Sequence, residues 1–244
     1  MLGRQHFTLS IATGLIVLTP LFVNKNPLVL PALLGIAIGS LIPDIDASDA
    51  TVFHTKVNGL HGMFSELTNT ILGPLLPVFG YLTKYMVYKP SIFVLNLFSD
   101  EYVFEGGHRS FTHSITGVLV MTVFTGFLIW PPLHYFGIKA LYLVFFLAGY
   151  MGGAFLHMLQ DSFTRSGISW NQPFSDFRVS GSLRTGKDNR RPRIFLIVLL
   201  AAASVNTGNI LASEASIFLL VQSFLIPCVC WTFFAWLAEV GFEK

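Results

Sequence analysis

FLLVQSFLIPCVCWTFFAWLA, residues 218–238, is an apolar run of the length that crosses a lipid bilayer. A hydrocarbon core about 30 Å thick requires about 20 residues of α-helix. Other apolar runs precede it, among them IFLIVLLAAASV at 194–205, and only 11% of the 244 residues are charged. Soluble domains contain about 25% charged residues. The sequence therefore predicts an all-α fold, a polytopic membrane helical bundle.

The apolar segments predict about six transmembrane helices, at 7–23, 28–43, 113–130, 139–161, 194–212 and 215–238. A further apolar segment at 71–98 is interrupted by prolines and lysines, so we expect a re-entrant hairpin or an interfacial helix there. No polar stretch is long enough to fold alone, and we expect a single membrane domain over 1–244. Its parts are a core with two helical hairpins (1–175), a basic loop (176–193) and a C-terminal helical hairpin (194–244).

Lysine and arginine are distributed unevenly between the two sides of this bundle. The tight turns at 24–27 and 131–137 each lie near one cation, Lys25 and Lys139, whereas the loops on the other side contain most of the basic residues. Because loops rich in lysine and arginine stay in the cytoplasm, we expect that other side, with both termini, to be cytoplasmic. The expected location is the cytoplasmic membrane of a bacterium or archaeon.

Histidine and aspartate recur at the helix ends on the cytoplasmic side. The midpoint between His6 and Asp44 lies in the first tight turn, and the midpoint between His113 and His157 lies in the second. Since a helix rises about 1.5 Å per residue, each hairpin returns its pair of residues to the same depth. We therefore predict a metal site, with these ligands: His6, Asp44, Asp46, His108, His113, His157 and Asp161.

Imidazole and carboxylate groups together suit zinc, manganese or iron. Seven such groups exceed one tetrahedral site, and they suffice for two divalent ions that share a carboxylate. Each residue alone also has a plainer explanation: a histidine at the interface, an Asp-x-Asp helix cap, or a buried His157–Asp161 hydrogen bond. The common depth of all of them favours the metal site.

Several neighbouring residues could support such a site. Arg109 could hold a phosphate or carboxylate through its planar guanidinium, or it could anchor the chain at the interface. Thr112 and Thr164 could donate hydrogen bonds to ligands or cap helices. His54, His61 and His134 are not expected to be ligands.

The basic run at 178–193 has more than one interpretation. It could bind anionic headgroups, or it could be an ordinary cytoplasmic loop. We expect no nucleic-acid partner, because the run lacks the interleaved aromatic residues on which bases stack.

Four motifs together resemble the YdjM-like family of membrane-bound metal-dependent hydrolases. They are an early histidine (His6), LIPDID at 41–46, GHRSFTHS at 107–114 and HMLQDSFTRSG at 157–167. The resemblance covers about residues 1–175, and it implies that this part is a hydrolase-like core. One position departs from the family pattern: Ser110 stands where the family commonly has glycine. The resemblance implies a metal-dependent hydrolase that uses the histidines and aspartates of these motifs.

We therefore expect an integral membrane hydrolase that acts at the cytoplasmic face through metal-activated water. Its substrate would be an ester or phosphoester of a lipid or lipid-linked molecule, because the site lies at membrane depth. Arg109, Asp46 and His113 are the expected catalytic residues. Two alternatives remain: a metal-ion transporter or sensor, and a non-enzymatic scaffold that recruits a regulator through its basic loop.

Overall fold

The computed structural model describes residues 1–57, 62–71, 73–97, 111–172, 174–175, 177–212 and 217–243. Within these residues, five helices are long and apolar enough to cross a membrane. They contain 21 to 23 residues each, which corresponds to about 32–35 Å of helix. These helices are α1 (Gly3–Val23), α6 (Ile115–Tyr135), α7 (Ala140–Ser162), α8 (Arg190–Ala212) and α9 (Ile217–Leu237). The predicted all-α polytopic bundle is confirmed.

Helix α2 (Val29–Gly39) is shorter than the predicted helix at 28–43. Its 11 residues are followed by a 3₁₀ helix, Ile42–Asp46, with Pro43 in the first turn. Proline cannot continue an α-helix here, since its ring would clash with the carbonyl of Gly39, four residues earlier. The helix therefore ends early, and the two aspartates lie on a tighter turn.

Prolines do not end α6 in the same way. The turn predicted at 131–137 is partly helical, because α6 includes Pro131 and Pro132 and continues to Tyr135. The chain then reverses over a short turn in which Gly137 has a positive φ of 68°. Prolines are tolerated in spanning helices when neighbouring helices and local adjustments satisfy the freed backbone groups.

Within the segment predicted at 71–98, residues 75–97 are helical. After α3 (Gly62–Ile71), the chain forms α4 (Leu75–Thr83), a π-helical turn (Lys84–Tyr88) and α5 (Lys89–Leu97). The helical path does not reverse between residues 75 and 97. A re-entrant hairpin would need a reversal within this stretch, so the interfacial helix remains our expectation for it.

A small antiparallel sheet, which the sequence did not predict, lies beyond the ends of the spanning helices. Its strands are β1 (Ile168–Ser169), β2 (Arg178–Ser180) and β3 (Gly241–Glu243), in the order β1-β2-β3. β1 follows α7, β2 precedes α8 and β3 follows α9, so the sheet joins three helix ends on one side of the bundle.

Two groups of packed helices build the interior. α2 packs mainly against α7, while α1 packs against both α8 and α9. Four aromatic rings pack together within the second group, one directly after α7 and the others on α8 and α9. They are Phe163, Phe195, Trp231 and Phe234. The start of α1 and the end of α7 thus lie at the same end of the bundle as the sheet.

Candidate metal centre

Five of the seven predicted ligands meet at one end of the bundle. His6 lies in the first turns of α1, and His157 and Asp161 lie in the last two turns of α7. Asp44 lies on the 3₁₀ helix after α2, and His113 ends a second 3₁₀ helix, Phe111–His113, just before α6. Their donor atoms form two overlapping groups: His6, Asp44 and His157, and His113, His157 and Asp161.

The distances between these donor atoms are short and similar. Asp44 Oδ1 lies 3.5 Å from Nε2 of His113 and 3.5 Å from Nε2 of His157. Asp161 Oδ2 lies 3.6 Å and 3.8 Å from the same two nitrogens, and Asp161 Oδ1 lies 3.3 Å from His6 Nε2. The amino group of Met1 also contacts Asp161 Oδ1.

These separations fit a shared divalent ion. Two ligand atoms that each lie about 2.1 Å from an ion, at the tetrahedral angle, are about 3.4 Å apart. Buried nitrogens point into the same space, because His6 Nε2 lies 3.3 Å from Asp161 Oδ1 and His157 Nε2 lies 3.5 Å from Asp44 Oδ1. Three imidazoles and two carboxylates are also the donor types that zinc, manganese and iron accept.

Hydrogen bonds orient two of the imidazole rings. His157 Nδ1 lies 2.8 Å from the backbone carbonyl oxygen of Ser40, to which it can donate. Thr112 Oγ1 lies 3.2 Å from His113 Nδ1. In both residues Nε2 is thereby left to face the carboxylates. Metal-binding histidines typically bond their second nitrogen to a carbonyl, carboxylate or water in this way.

Glycines allow α2 and α7 to approach closely enough for the Ser40–His157 contact. Gly35 and Gly39 on α2 face Gly149 and Gly153 on α7, and each pair has a Gly-x-x-x-Gly spacing. A Cβ at Gly39 would lie 2.0 Å from the carbonyl oxygen of Tyr150, so only glycine fits there. Small residues four apart are the usual means of close helix packing in membranes.

The site is enclosed on all sides but one. The side chains of His6, His113, His157 and Asp161 are at most 1% exposed, whereas that of Asp44 is 19% exposed. The 3₁₀ helix that carries Asp44 therefore forms the accessible edge of the site. Among the five converging residues, Asp44 is thus the one that solvent reaches most readily.

The electrostatics of this edge favour metal binding. Burial acts to raise the pKa of Asp44, but the charge of His157 and hydrogen bonds with His113 and His157 hold that pKa well below its usual value. Burial lowers the pKa of His113, and the neighbouring Asp44 opposes this only in part. Near neutral pH the carboxylate is ionised and the imidazole is neutral, which are the forms that bind metal.

The other predicted site residues have different positions. Asp46 belongs to neither group of converging donors. On a 3₁₀ helix with three residues per turn, side chains two apart point in directions about 120° apart, so Asp44 and Asp46 face different ways. Thr164 donates from its hydroxyl to the carbonyl oxygen of Asp161 at 2.7 Å. His108 and Arg109 lie outside the described residues.

A family model described as YdjM inner membrane protein matches residues 1–238. That range is nearly the whole chain. The chain belongs to the YdjM inner membrane protein family. Residues 176–238, which lie beyond the sequence resemblance at 1–175, also fall inside the match. The searches of curated proteins and of solved structures found no match.

Proposed function

We propose that this YdjM-family protein is a metal-dependent hydrolase of the membrane surface. The observation that carries the proposal is His157, whose Nδ1 contacts the Ser40 carbonyl at 2.8 Å while its Nε2 faces Asp44 and Asp161. A buried imidazole held in this way, between two carboxylates and two further histidines, is a metal-binding arrangement.

The described residues would hold one divalent ion, which we propose to be zinc, manganese or iron. The two donor groups share His157, and an imidazole nitrogen binds only one ion at a time. A second ion would therefore need other ligands, for which Asp46 and His108 are the candidates. The expected second ion would thus need at least some ligands other than the five converging residues.

A divalent metal in such a site supplies a water of lowered pKa and polarises the oxygen of a bound ester. The residues of the chain would position and assist this chemistry. Asp44, which is ionised and partly exposed, lies at the accessible edge of the site, where its carboxylate would orient a bound substrate. Asp46, two residues after Asp44 on the same 3₁₀ helix, is our candidate for accepting a proton from water. Arg109 is our candidate for stabilising the negative charge that develops on the substrate.

The substrate we propose is an ester or phosphoester of a lipid or lipid-linked molecule. The site lies where α1 and α6 begin and α7 ends, so it lies at the level where spanning helices leave the bilayer. Lipid headgroups lie at this level, whereas large soluble substrates would have to approach the membrane. Because basic residues are in excess on this side, we propose that it faces the cytoplasm.

Purified protein tests this proposal directly. Bound zinc, manganese and iron are counted first, and hydrolysis is then measured on phospholipids and on a generic phosphodiester. We expect metal-dependent hydrolysis that disappears in a His113→Ala plus Asp161→Ala variant. A His134→Ala variant, which changes a histidine at the opposite end of α6, should retain both metal and activity.

Two outcomes would contradict the hydrolase. Metal uptake into proteoliposomes without any hydrolysis would support a transporter instead, although α1, α2, α6, α7 and α9 have no acidic or histidine residues in their central turns. Loss of function on deletion of 178–191, with function intact after substitution of Asp44 and His157, would support a scaffold that recruits a regulator.

A further inference from the structure

The small sheet beside the metal centre exposes aromatic side chains. Phe177, just before β2, and Phe242, on β3, are 38% and 74% exposed. Their rings stack, with centroids 5.4 Å apart and planes inclined by 22°. Because side chains alternate across a strand, Phe177 and Phe242 lie on one face of the sheet, with Val179 opposite Phe242 in the register.

The position of this sheet relative to the membrane follows from its connections. Each strand is connected to the end of a spanning helix: β1 to α7 by five residues, β2 to α8 by nine and β3 to α9 by three. The backbone of β3 lies only a few residues beyond Leu237, the last residue of α9. The exposed phenylalanines therefore lie close to the level where the helices emerge from the bilayer.

Exposed cations surround the same region. Every arginine and lysine from 165 to 193 is exposed, and among the described residues none of them forms a side-chain ion pair. Arg190, Arg191 and Arg193 begin α8, which places them at the depth of lipid headgroups. Arg191 Nη1 donates to Ser182 Oγ at 3.1 Å. The acidic residues of this region in the described chain include Asp188 and Glu239.

We propose that Phe177 and Phe242 insert into the boundary between headgroups and acyl chains of an anionic leaflet, while Arg190 and Arg193 bind its lipid phosphates. We call this surface, with those four residues as its members, the interfacial anchor. Aromatic rings and cations combined in this way are typical of surfaces that bind anionic membranes. The segment that follows β2 lies beside the end of α7, because residues 181–183 hydrogen-bond to residues 163–165.

Insertion is tested with a Phe242→Trp variant in vesicles of phosphatidylglycerol and phosphatidylcholine. The tryptophan signal is taken as the difference from the unsubstituted chain, and it is quenched either by lipids brominated near the headgroup or by aqueous iodide. We expect quenching by the brominated lipids and protection from iodide. Quenching by iodide alone would overturn the insertion of Phe242.

Binding of phosphate groups is tested with an Arg190→Gln plus Arg193→Gln variant in neutral detergent. Thermal stabilisation by short-chain phosphatidylglycerol is compared with that by phosphatidylcholine and by inorganic phosphate. We expect affinity for phosphatidylglycerol to fall about 30-fold in this variant, and to be unchanged in a Lys139→Gln control at the opposite end of α7. Equal stabilisation by phosphatidylcholine, or by inorganic phosphate alone, would overturn the lipid phosphate site.

These experiments are independent of the hydrolase proposal. None of the four residues of the interfacial anchor belongs to the two groups of converging donors. The metal content of each variant should therefore equal that of the unsubstituted protein, and a membrane anchor can be present whether or not the protein hydrolyses lipids.

Discussion

Replacing Gly153 with alanine should weaken metal binding, although residue 153 has no side chain that could bind an ion. A Cβ at this position would lie 2.4 Å from the carbonyl oxygen of Ile36 and 2.8 Å from the amide nitrogen of Ser40. Ordinary van der Waals contacts begin near 3.4 Å. The substitution therefore forces α2 and α7 apart by about 1 Å, since both nearest atoms belong to the backbone and cannot rotate away.

The expected magnitude follows from the contact that this movement breaks. His157 Nδ1 lies 2.8 Å from the Ser40 carbonyl oxygen. An opening of about 1 Å would lengthen this distance to about 3.8 Å, beyond the usual hydrogen-bond limit of about 3.2 Å. Loss of such a hydrogen bond behind a metal ligand typically lowers metal affinity about 10- to 100-fold. Overpacking between the helices should also lower the free energy of unfolding by about 1–3 kcal/mol.

Gly152, one residue earlier on the same helix, provides the matched control. A Cβ there meets nothing within 4 Å, so Gly152→Ala should leave metal affinity unchanged. The assay is a zinc titration of purified protein against a competing chelator, with helical content checked by circular dichroism. If Gly153→Ala binds zinc as tightly as Gly152→Ala does, the Ser40–His157 hydrogen bond does not orient the ligand and our reasoning is refuted.

Three further predictions concern single side chains. His6→Ala should lose its metal on dialysis, because it removes a converging donor, while His134→Ala keeps it; equal metal content in both would contradict the site. Thr112→Val should lower metal affinity about tenfold by removing the hydroxyl beside the His113 Nδ1 atom, and an unchanged chelator titration would refute this. Asn206→Leu should lower the free energy of unfolding by about 1 kcal/mol without affecting metal content, because it breaks the hydrogen bond to the Ile16 carbonyl. Unfolding in detergent measures this loss, and unaltered stability would contradict the prediction.

The membrane helices and the pairing of ligands were predictable because both depend on length. Apolar runs of about 20 residues set the spanning helices, and the constant rise of a helix places His6 opposite Asp44 across one hairpin. These regularities hold whatever the side chains contact. The structure accordingly brings the ends of the α1–α2 and α6–α7 hairpins together.

The close approach of the two hairpins was missed, although a signal for it exists. Gly35 and Gly39, and Gly149 and Gly153, are spaced four apart, which is a known pattern for helix contact in membranes. The sequence does not state which two helices such glycines join, because any pair with this spacing could meet. Only the structure shows that they bring Ser40 to His157.

The position of Asp46 could not be predicted for a different reason. An Asp-x-Asp pair has no defined geometry until its backbone conformation is known. Pro43 ends the α-helix and favours a 3₁₀ turn, and this turn sends the two carboxylates in different directions. The small sheet was also unpredicted, because strands of two or three residues pair through distant contacts rather than through a local pattern.

Anomalous X-ray scattering from crystals of the native protein, recorded at the zinc, manganese and iron edges, tests the metal centre most directly. We predict a peak within about 2.0–2.3 Å of His157 Nε2 and of carboxylate oxygens from Asp44 and Asp161. A protein that contains no metal, or a peak away from these residues, would contradict the metal centre on which the proposed hydrolase depends.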